Sequence, residues 1–207
     1  DFRDRLKAAT GQTLRVPTMA ERLKDTDGSI VYSNVSPGAA YFQDPDNHGY
    51  VYHRAGSFGP GGHPISGDGS LNVTHDAEGD TAMTKRFCQE VLGNRKSALA
   101  VLWQCEPDHS QHSHELGSPT HLAAIAAADL NAVTVANAVD RLNAAGEDIL
   151  LLIGSDHGHE TVGEIVDLDV ELIAAGFKAH TDSSDVVVAS QGFSAFVYLA
   201  DDQRHKM

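Results

Sequence analysis

Two short, continuous runs of apolar residues lie on either side of a long helical stretch. The runs cover residues 98–103 and 148–153, and both have the length of a β-strand rather than that of a helix. Strands that are apolar on both faces are typical of parallel sheets, which are covered on both sides. Between them, Ser118 followed by proline is a helix-start signal, and the alanine-rich sequence that follows predicts a helix that stops at Gly146. The pattern predicts a strand–helix–strand unit.

Shorter patterns before and after this unit predict further helices and strands. Met83, Phe87 and Val91 recur at intervals of four, which indicates a helix over residues 80–92. Thr18 and the glutamate three residues later form a capping box that starts a short helix. The remaining predicted elements are a helix at 168–175 and strands at 30–32, 186–189 and 195–199. This alternation predicts the α/β class, with a three-layer arrangement in which a mostly parallel sheet has helices on both faces.

Residues 41–79 interrupt this regularity. Glycines and prolines are concentrated there, and one short stretch, at 50–53, has the pattern of a strand. Long segments without regular structure are usually functional lids or disordered. We therefore expect an irregular Gly/Pro-rich insertion within a single α/β domain that extends over residues 1–207.

The composition is that of an ordinary soluble domain. The chain has 207 residues, of which 41% are hydrophobic and 21% charged. This length is that of one domain, since domains have about 100–200 residues. Its two cysteines, Cys88 and Cys105, provide no disulfide framework and fit a reducing compartment such as the cytoplasm. Residues 1–9 have the pattern of the middle of a helix, so we expect an excerpt of a longer protein. Secretion stays open, because a targeting segment would lie upstream.

The charge balance narrows the class of partner. There are 29 acidic residues against 15 basic ones, for a net charge of −14. Nucleic acids and anionic lipid surfaces bind basic proteins through their phosphates, so we expect neither as a partner. The most apolar candidate for a membrane span, residues 121–139, is interrupted by Asp129 and Asn131. An acidic protein suits an enzyme that holds divalent cations and meets a small anionic substrate through them. The oligomeric state stays open.

Each of the two apolar runs leads into a carboxylate and an imidazole. Asp108 follows the first run, with His112 one turn later, and Asp156 and His157 follow the second run. Ligands bind at the carboxyl ends of parallel strands, so we expect the two pairs to meet at one rim of the sheet. Carboxylate and imidazole ligands suit zinc, manganese or iron better than calcium or magnesium. Two such pairs predict two metal ions about 4 Å apart. Two ions at this spacing stabilise both the attacking and the leaving oxygen in phosphoryl transfer.

Several polar side chains lie beside the four predicted ligands. We expect Glu106 either to accept a hydrogen bond from a ligand histidine or to cap the following turn. His109, His114 and His159 are expected either to orient the ligands or to be exposed polar side chains. The sequence leaves both choices open.

The sequences EPDHSQH and SDHGHE at these positions resemble the type I phosphodiesterase/nucleotide pyrophosphatase family of the alkaline phosphatase superfamily, and the resemblance covers residues 18–199. It implies an alkaline-phosphatase-like fold and a metal-dependent hydrolase of phosphodiesters or nucleotide pyrophosphates. By resemblance, Asp108 and His112 hold the metal that activates water. Asp156 and His157 hold the metal that activates a Ser or Thr nucleophile. Zinc is the expected metal, and manganese is the alternative.

Parts of the family pattern are missing from this chain. The Gly-rich segment with the nucleophile and the first metal-binding Asp is not found before Asp108, and the family's last metal-binding His would lie beyond the strand at 195–199. We therefore expect a nucleophile outside this chain and a fragment that is inactive by itself. The same ligands also fit a phosphonate hydrolase or a phosphomutase of the superfamily. A catalytically silent α/β metal-binding module is the third alternative.

Overall fold

The structure is a computed structural model that describes residues 2–94 and 96–201. This part of the chain divides into two compact units, of which the first ends at Glu160 and the second begins at Thr161. Each unit has a sheet of its own. The two units are therefore described separately, although the sequence predicts one domain over residues 1–207.

The first unit is built on a five-stranded sheet. Its strands are β1 (Ser29–Ser33), β2 (Tyr50–His53), β3 (Ser57–Phe58), β4 (Pro64–Ile65) and β5 (Leu99–Trp103), in the spatial order β4-β3-β2-β1-β5. Strand β1 pairs in parallel with both β2 and β5, whereas β3 pairs antiparallel with β2 and with β4. The predicted α/β class is confirmed. Because parallel pairing is limited to the three longer strands, the sheet is mixed rather than mostly parallel.

Three of these strands lie in the range 41–79, which the sequence assigns to an irregular insertion. The carboxylate of Asp44 fixes the turn before β2, because it accepts hydrogen bonds from the N–H groups of His48 and Gly49 at 2.9 and 2.6 Å. A Cβ on Gly49 would lie 2.4 Å from the carbonyl oxygen of Ser29 in β1, so the close approach of the two strands requires glycine. Strands β3 and β4 have two residues each, too few to produce a recognisable apolar alternation. The segment thus extends the sheet.

The helices of the first unit lie before, between and after these strands in the sequence. They are α1 (Phe2–Thr10), α2 (Met19–Leu23), α3 (Pro37–Tyr41), α4 (Ala77–Phe87), α5 (Asp108–Gln111) and α6 (Pro119–Ala144), and α4 continues into a π-helical turn at Cys88–Leu92. Two predicted helix starts are confirmed. Thr18 caps α2 by accepting a hydrogen bond from the N–H of Glu21, and Ser118 caps α6 through the N–H of His121. Helix α6 packs against α4 and α5.

Helix α6 is long and apolar enough, by length and composition alone, to cross a membrane, and no other helix in residues 2–94 and 96–201 meets that criterion. One face of it is buried in the first unit, including Ala124, Val135 and Ala138. Asn131 is buried on the same helix, and its side-chain amide donates a hydrogen bond of 2.8 Å to Oε1 of Gln104, just beyond β5. These contacts make α6 a packed helix of the first unit.

The apolar core of the first unit lies between the sheet and α4. Met83, Phe87 and Val91 are 0, 3 and 1% exposed, which confirms the predicted stripe of this helix. They form one cluster with Tyr32 of β1 and Tyr52 of β2, whose rings stack with their centroids 4.4 Å apart. Burial of apolar surface is the main source of stability in such a cluster, at about 25 cal/mol per Å². This core fixes α4 against the parallel part of the sheet.

The predicted strand at 148–153 is wrong. These residues follow α6 without regular secondary structure, and Leu150, Leu152 and Ile153 are 82, 82 and 69% exposed. Within the described residues, β5 pairs with β1 alone and is the edge of the sheet, so no neighbouring strand supplies hydrogen bonds to the run. An apolar run forms a buried strand only where such a partner is present.

The second unit contains one helix and a hairpin in its described residues. The elements are α7 (Leu168–Ala174), β6 (Val186–Gln191) and β7 (Ser194–Leu199). Both strands predicted in this region are present, but they pair antiparallel with each other. Gly192, at φ +61°, allows the turn between them. Lys178 is 4% exposed, and its amine lies 3.2 Å from a carboxylate oxygen of Asp169.

Candidate metal centre

Asp108 is the centre of a group of imidazole side chains at the carboxyl end of β5. The chain leaves β5 at Trp103 and reaches Asp108, the first residue of α5, five residues later. The Oδ1 atom of Asp108 lies 2.7 Å from Nε2 of His159 and 3.5 Å from Nε2 of His157. One ligand atom from each of these three residues lies within 4.8 Å of the other two. Since ligand atoms bound at about 2.1 Å from a zinc ion lie about 3–4 Å apart, one cation fits this group with small side-chain adjustments.

His112 faces the second oxygen of the same carboxylate. It lies one turn after Asp108, at the end of α5, and its Nε2 is 3.5 Å from Oδ2 of Asp108. Its ring also meets the ring of His159 edge to face, with centroids 5.1 Å apart. Asp108 therefore presents one oxygen to His112 and the other to His157 and His159.

Asp156 lies beside His157 rather than in the three-residue group. Its Oδ2 is 3.8 Å from Nε2 of His157, and its Oδ1 accepts a hydrogen bond of 3.1 Å from the N–H of His157. The segment that holds both residues has no regular secondary structure, and Gly154 and Gly158 flank the pair. Of the four predicted ligands, the structure brings Asp108, His112 and His157 together and leaves Asp156 next to His157.

The centre is open to solvent on one side. The side chains of Asp108, His112 and His157 are 45, 68 and 54% exposed, whereas that of His159 is 17% exposed. Exposed ion pairs contribute little to stability, typically about 0–1 kcal/mol. The convergence of three imidazoles on one carboxylate is therefore better explained by ligand binding than by a need for stability.

Glu106 caps the helix that carries Asp108. It is 8% exposed, its Oε2 accepts a hydrogen bond of 3.0 Å from the N–H of Ser110, and its Oε1 accepts one of 2.9 Å from the Ser110 hydroxyl. Of the two roles that the sequence leaves open for Glu106, the structure shows the cap. Both oxygens are engaged by one residue, which fixes the single turn of α5.

Asp80 of α4 is buried beneath this turn. Burial raises the pKa of Asp80, although hydrogen bonds from Asn34, Glu106 and Cys105 oppose the shift. Burial, followed by the nearby carboxylate of Asp80, also raises the pKa of the Cys105 thiol. A thiol with a raised pKa is a poor nucleophile, so Cys105 is a structural residue.

A cleft of about 660 Å³ lies beside the centre. Its lining includes apolar side chains of β5 and α6, such as Leu102, Ile125 and Val135, together with the centre's own Asp108 and His157. Ligand pockets for small molecules are typically about 300–1,000 Å³ and mostly apolar with a few polar groups. The cleft therefore has the size and the lining of a small-molecule site with one polar end.

An α/β unit with carboxylate and imidazole side chains at the carboxyl end of a parallel strand, next to such a cleft, has the architecture that α/β enzymes of small molecules use for their ligand sites. The family model for type I phosphodiesterase / nucleotide pyrophosphatase matches residues 18–206, and the chain belongs to this family of typically metal-dependent hydrolases. The resemblance seen in the sequence is thereby confirmed. No curated protein and no solved structure matches the chain.

Of the two roles that the sequence leaves open for His159, the separation of 2.7 Å between its Nε2 and Oδ1 of Asp108 fits the orientation of a ligand. Asp80 has one signal in the sequence, since it precedes Met83 by three residues and so lies on the buried stripe of α4. An acidic residue on an apolar stripe indicates a buried carboxylate with several hydrogen bonds.

Proposed function

We propose that this chain binds two divalent metal ions, zinc with manganese as the alternative, for the hydrolysis of phosphodiesters or nucleotide pyrophosphates by a Ser or Thr nucleophile that lies outside the chain. The proposal rests on one observation, the convergence of three imidazoles on the carboxylate of Asp108 beside a cleft. Carboxylate oxygens and imidazole nitrogens are ligands that zinc and manganese accept. Membership of the family supports the class of reaction.

We assign the ligands in two pairs. Asp108 and His112 hold one ion, and Asp156 and His157 hold the second. Supporting contacts are the 3.5 Å approach within the first pair and the 3.8 Å approach within the second. His159 is assigned to orientation, because a separation of 2.7 Å between its Nε2 and Oδ1 of Asp108 is that of a hydrogen bond to a carboxylate.

Asp108, His112, Asp156 and His157 would hold the two ions, which when bound would supply Lewis-acid stabilisation of the charge at phosphorus and would activate the attacking oxygen. The chain's own residues hold the ligands and the substrate. Glu106 fixes the turn of α5, so that Asp108 keeps its orientation. The apolar walls of the cleft receive the organic part of a small anionic ester and exclude water from it.

The attacking group in this proposal is a Ser or Thr hydroxyl outside these 207 residues. Two of the serines near the centre, Ser110 and Ser155, have hydroxyls that are engaged. Ser110 donates to Glu106 and is buried, and Ser155 donates to the carbonyl oxygen of His157. Neither hydroxyl has a histidine or lysine as its acceptor, which is the usual means of activating a serine.

Metal binding to the 207-residue chain is the first test. We expect calorimetry to show binding of Zn²⁺, an affinity at least about tenfold weaker for Asp108→Asn, and no change for Asp68→Asn, an exposed carboxylate away from the centre. Mn²⁺ provides the comparison of metals. Unchanged metal content in Asp108→Asn and in Asp156→Asn would show that the ligand assignment is wrong.

Turnover is the second test, and it uses the full-length polypeptide that contains this chain. We expect zinc- or manganese-dependent hydrolysis of bis-p-nitrophenyl phosphate or of a nucleotide pyrophosphate, lost in Asp108→Asn and retained in Asp68→Asn. Hydrolysis of phosphonates alone, or transfer of a phosphoryl group within one substrate, would favour the other reactions of the superfamily. Metal binding without any turnover would favour a catalytically silent module.

A further inference from the structure

A second group of side chains with nitrogen donors lies near the carboxyl ends of the parallel strands. One of its members, His109, directly follows Asp108. Arg54 directly follows β2, His75 directly precedes the cap of α4, and His109 is the second residue of α5. The rings of His75 and His109 lie with centroids 4.4 Å apart. Asn34 links Arg54 to His75, because its carbonyl oxygen accepts a hydrogen bond of 3.0 Å from Nη1 of Arg54 and its side-chain amide donates one of 2.9 Å to the carbonyl oxygen of Thr74, the residue before His75. We call Arg54, His75 and His109 the Arg54 cluster.

Arg54 is held in one position by the backbone. Its Nη1 donates hydrogen bonds to the carbonyl oxygens of Asn34 at 3.0 Å and Val35 at 2.8 Å, just beyond β1, and lies 3.0 Å from Nε2 of His53. Within residues 2–94 and 96–201, its Nε and Nη2 have no hydrogen-bond partner and the guanidinium makes no ion pair. The side chain is half-buried. A fixed, partly desolvated guanidinium without a counter-ion is prepared for an anionic ligand.

The carboxylates around the Arg54 cluster are engaged elsewhere. Asp80 accepts hydrogen bonds from Asn34 and from the backbone of the turn after β5. Asp76 caps α4 and accepts a further hydrogen bond from Thr74. The oxygens of Glu106 both bind Ser110. Although the chain has a net charge of −14, the carboxylates near the Arg54 cluster are used in structural hydrogen bonds. The guanidinium of Arg54 therefore stays available to an anionic ligand.

The Arg54 cluster and the metal centre are adjacent. Asp108 and His109 are consecutive in α5, with Cα atoms about 3.8 Å apart, and consecutive helical side chains point about 100° apart around the axis. Asp108 accordingly contacts His157 and His159, whereas His109 contacts His75. One substrate that carries two neighbouring phosphate groups can therefore meet both groups of residues.

We propose that the Arg54 cluster binds the phosphate group next to the scissile phosphorus, and so selects substrates with a phosphoanhydride over phosphodiesters with a single phosphate. The inference rests on the proposed function, since the scissile phosphorus lies at the metal centre. Arg54 supplies the permanent charge and a planar pair of donors, the geometry that matches phosphate oxygens. His109, which directly follows Asp108, and His75, whose ring contacts that of His109, supply ring N–H donors.

The test compares two substrates in the full-length polypeptide. In Arg54→Gln, we expect kcat/KM for a nucleotide pyrophosphate to fall about 10- to 100-fold, and kcat/KM for bis-p-nitrophenyl phosphate to stay within about threefold of the wild type. Arg15→Gln removes an exposed arginine of the same unit and should change neither value. Equal losses on both substrates, or no loss on either, would overturn the proposal. If the wild type hydrolyses neither substrate, the proposed function itself is wrong.

A binding measurement on the metal-stripped 207-residue chain separates the cluster from catalysis. We expect inorganic pyrophosphate to bind the wild type, and the Kd to weaken at least about tenfold in Arg54→Gln but not in Arg15→Gln. Inorganic phosphate that binds as tightly as pyrophosphate would overturn the selection of a second phosphate. Melting curves identify loss of fold. If Arg54→Gln does not fold, Arg54→Lys keeps the charge and loses the planar donors, and the same selective loss on the pyrophosphate is required of it.

Discussion

The carboxylate of Asp80 in α4 holds the backbone of Glu106, because its Oδ2 accepts a hydrogen bond of 2.9 Å from the Glu106 N–H. Its Oδ1 accepts hydrogen bonds of 2.9 Å from the side chain of Asn34 and 3.2 Å from the N–H of Cys105. Asp80 is fully buried. One carboxylate thereby ties the turn that leads to Asp108 to α4 and to the end of β1.

Replacement of Asp80 by asparagine should weaken this turn. An amide accepts hydrogen bonds through one atom only, so its NH₂ group would face an N–H donor of Cys105 or Glu106. We expect the free energy of unfolding to fall by about 1–3 kcal/mol, since a buried donor loses its partner. Urea denaturation measures the change, and the exposed Asp25→Asn is the matched control. The affinity of Asp80→Asn for zinc should fall together with its free energy of unfolding. An unchanged affinity in the folded variant would show that Asp80 does not position Asp108.

The sequence predicts the parts of the fold whose signals are local. The caps at Thr18 and Ser118 involve contacts over three residues, and the stripe of α4 reflects the helical repeat. The strand β5 is present where its apolar run predicts it. Pairing is not a local property. The equally apolar run at 148–153 forms no strand, because strand formation depends on a partner elsewhere in the chain.

The candidate site shows the same division. Asp108 and His112 lie one turn apart, so their approach follows from the sequence alone. The contact of His159 with Asp108 spans 51 residues and depends on how the irregular segment after α6 returns to the sheet. The fixation of Arg54 by Val35 spans 19 residues and depends on the parallel pairing of β1 with β2. Tertiary contacts of this kind leave no periodic signal.

Substitution of His159 distinguishes a direct metal ligand from a residue that orients a ligand. If it orients Asp108 by a hydrogen bond, His159→Gln should retain zinc at full stoichiometry with an affinity about 10- to 100-fold weaker, the usual cost of losing such a partner. His63→Gln, a change at an exposed histidine, should leave the affinity unchanged. Calorimetry gives both stoichiometry and affinity. A loss of stoichiometry in His159→Gln would instead make His159 a direct ligand.

The exposed apolar segment after α6 predicts unusual tolerance to polar substitution. Leu150 and Leu152 are each 82% exposed, so Leu150→Gln and Leu152→Gln should change the free energy of unfolding by less than about 0.5 kcal/mol. Met83→Ala, in the core of the same unit, should cost about 2–5 kcal/mol. Urea denaturation of the three variants makes the comparison. Costs at Leu150 or Leu152 similar to that at Met83 would show that the segment is a buried strand after all.

His53 predicts a loss of stability on acidification. Its ring is fully buried, Nδ1 accepts a hydrogen bond of 3.0 Å from the N–H of Ala55, and Nε2 donates to the carbonyl oxygen of Val35 at 2.8 Å. Burial lowers the pKa of His53 below its ordinary 6.5, despite the bond to Val35. The stability from the neutral ring is therefore complete above pH 6.5 and is lost as the pH falls through the lowered pKa. NMR titration, with the ring signals assigned by comparison with His53→Gln, should give a pKa below 6.5. A value at or above it would contradict this account of the ring.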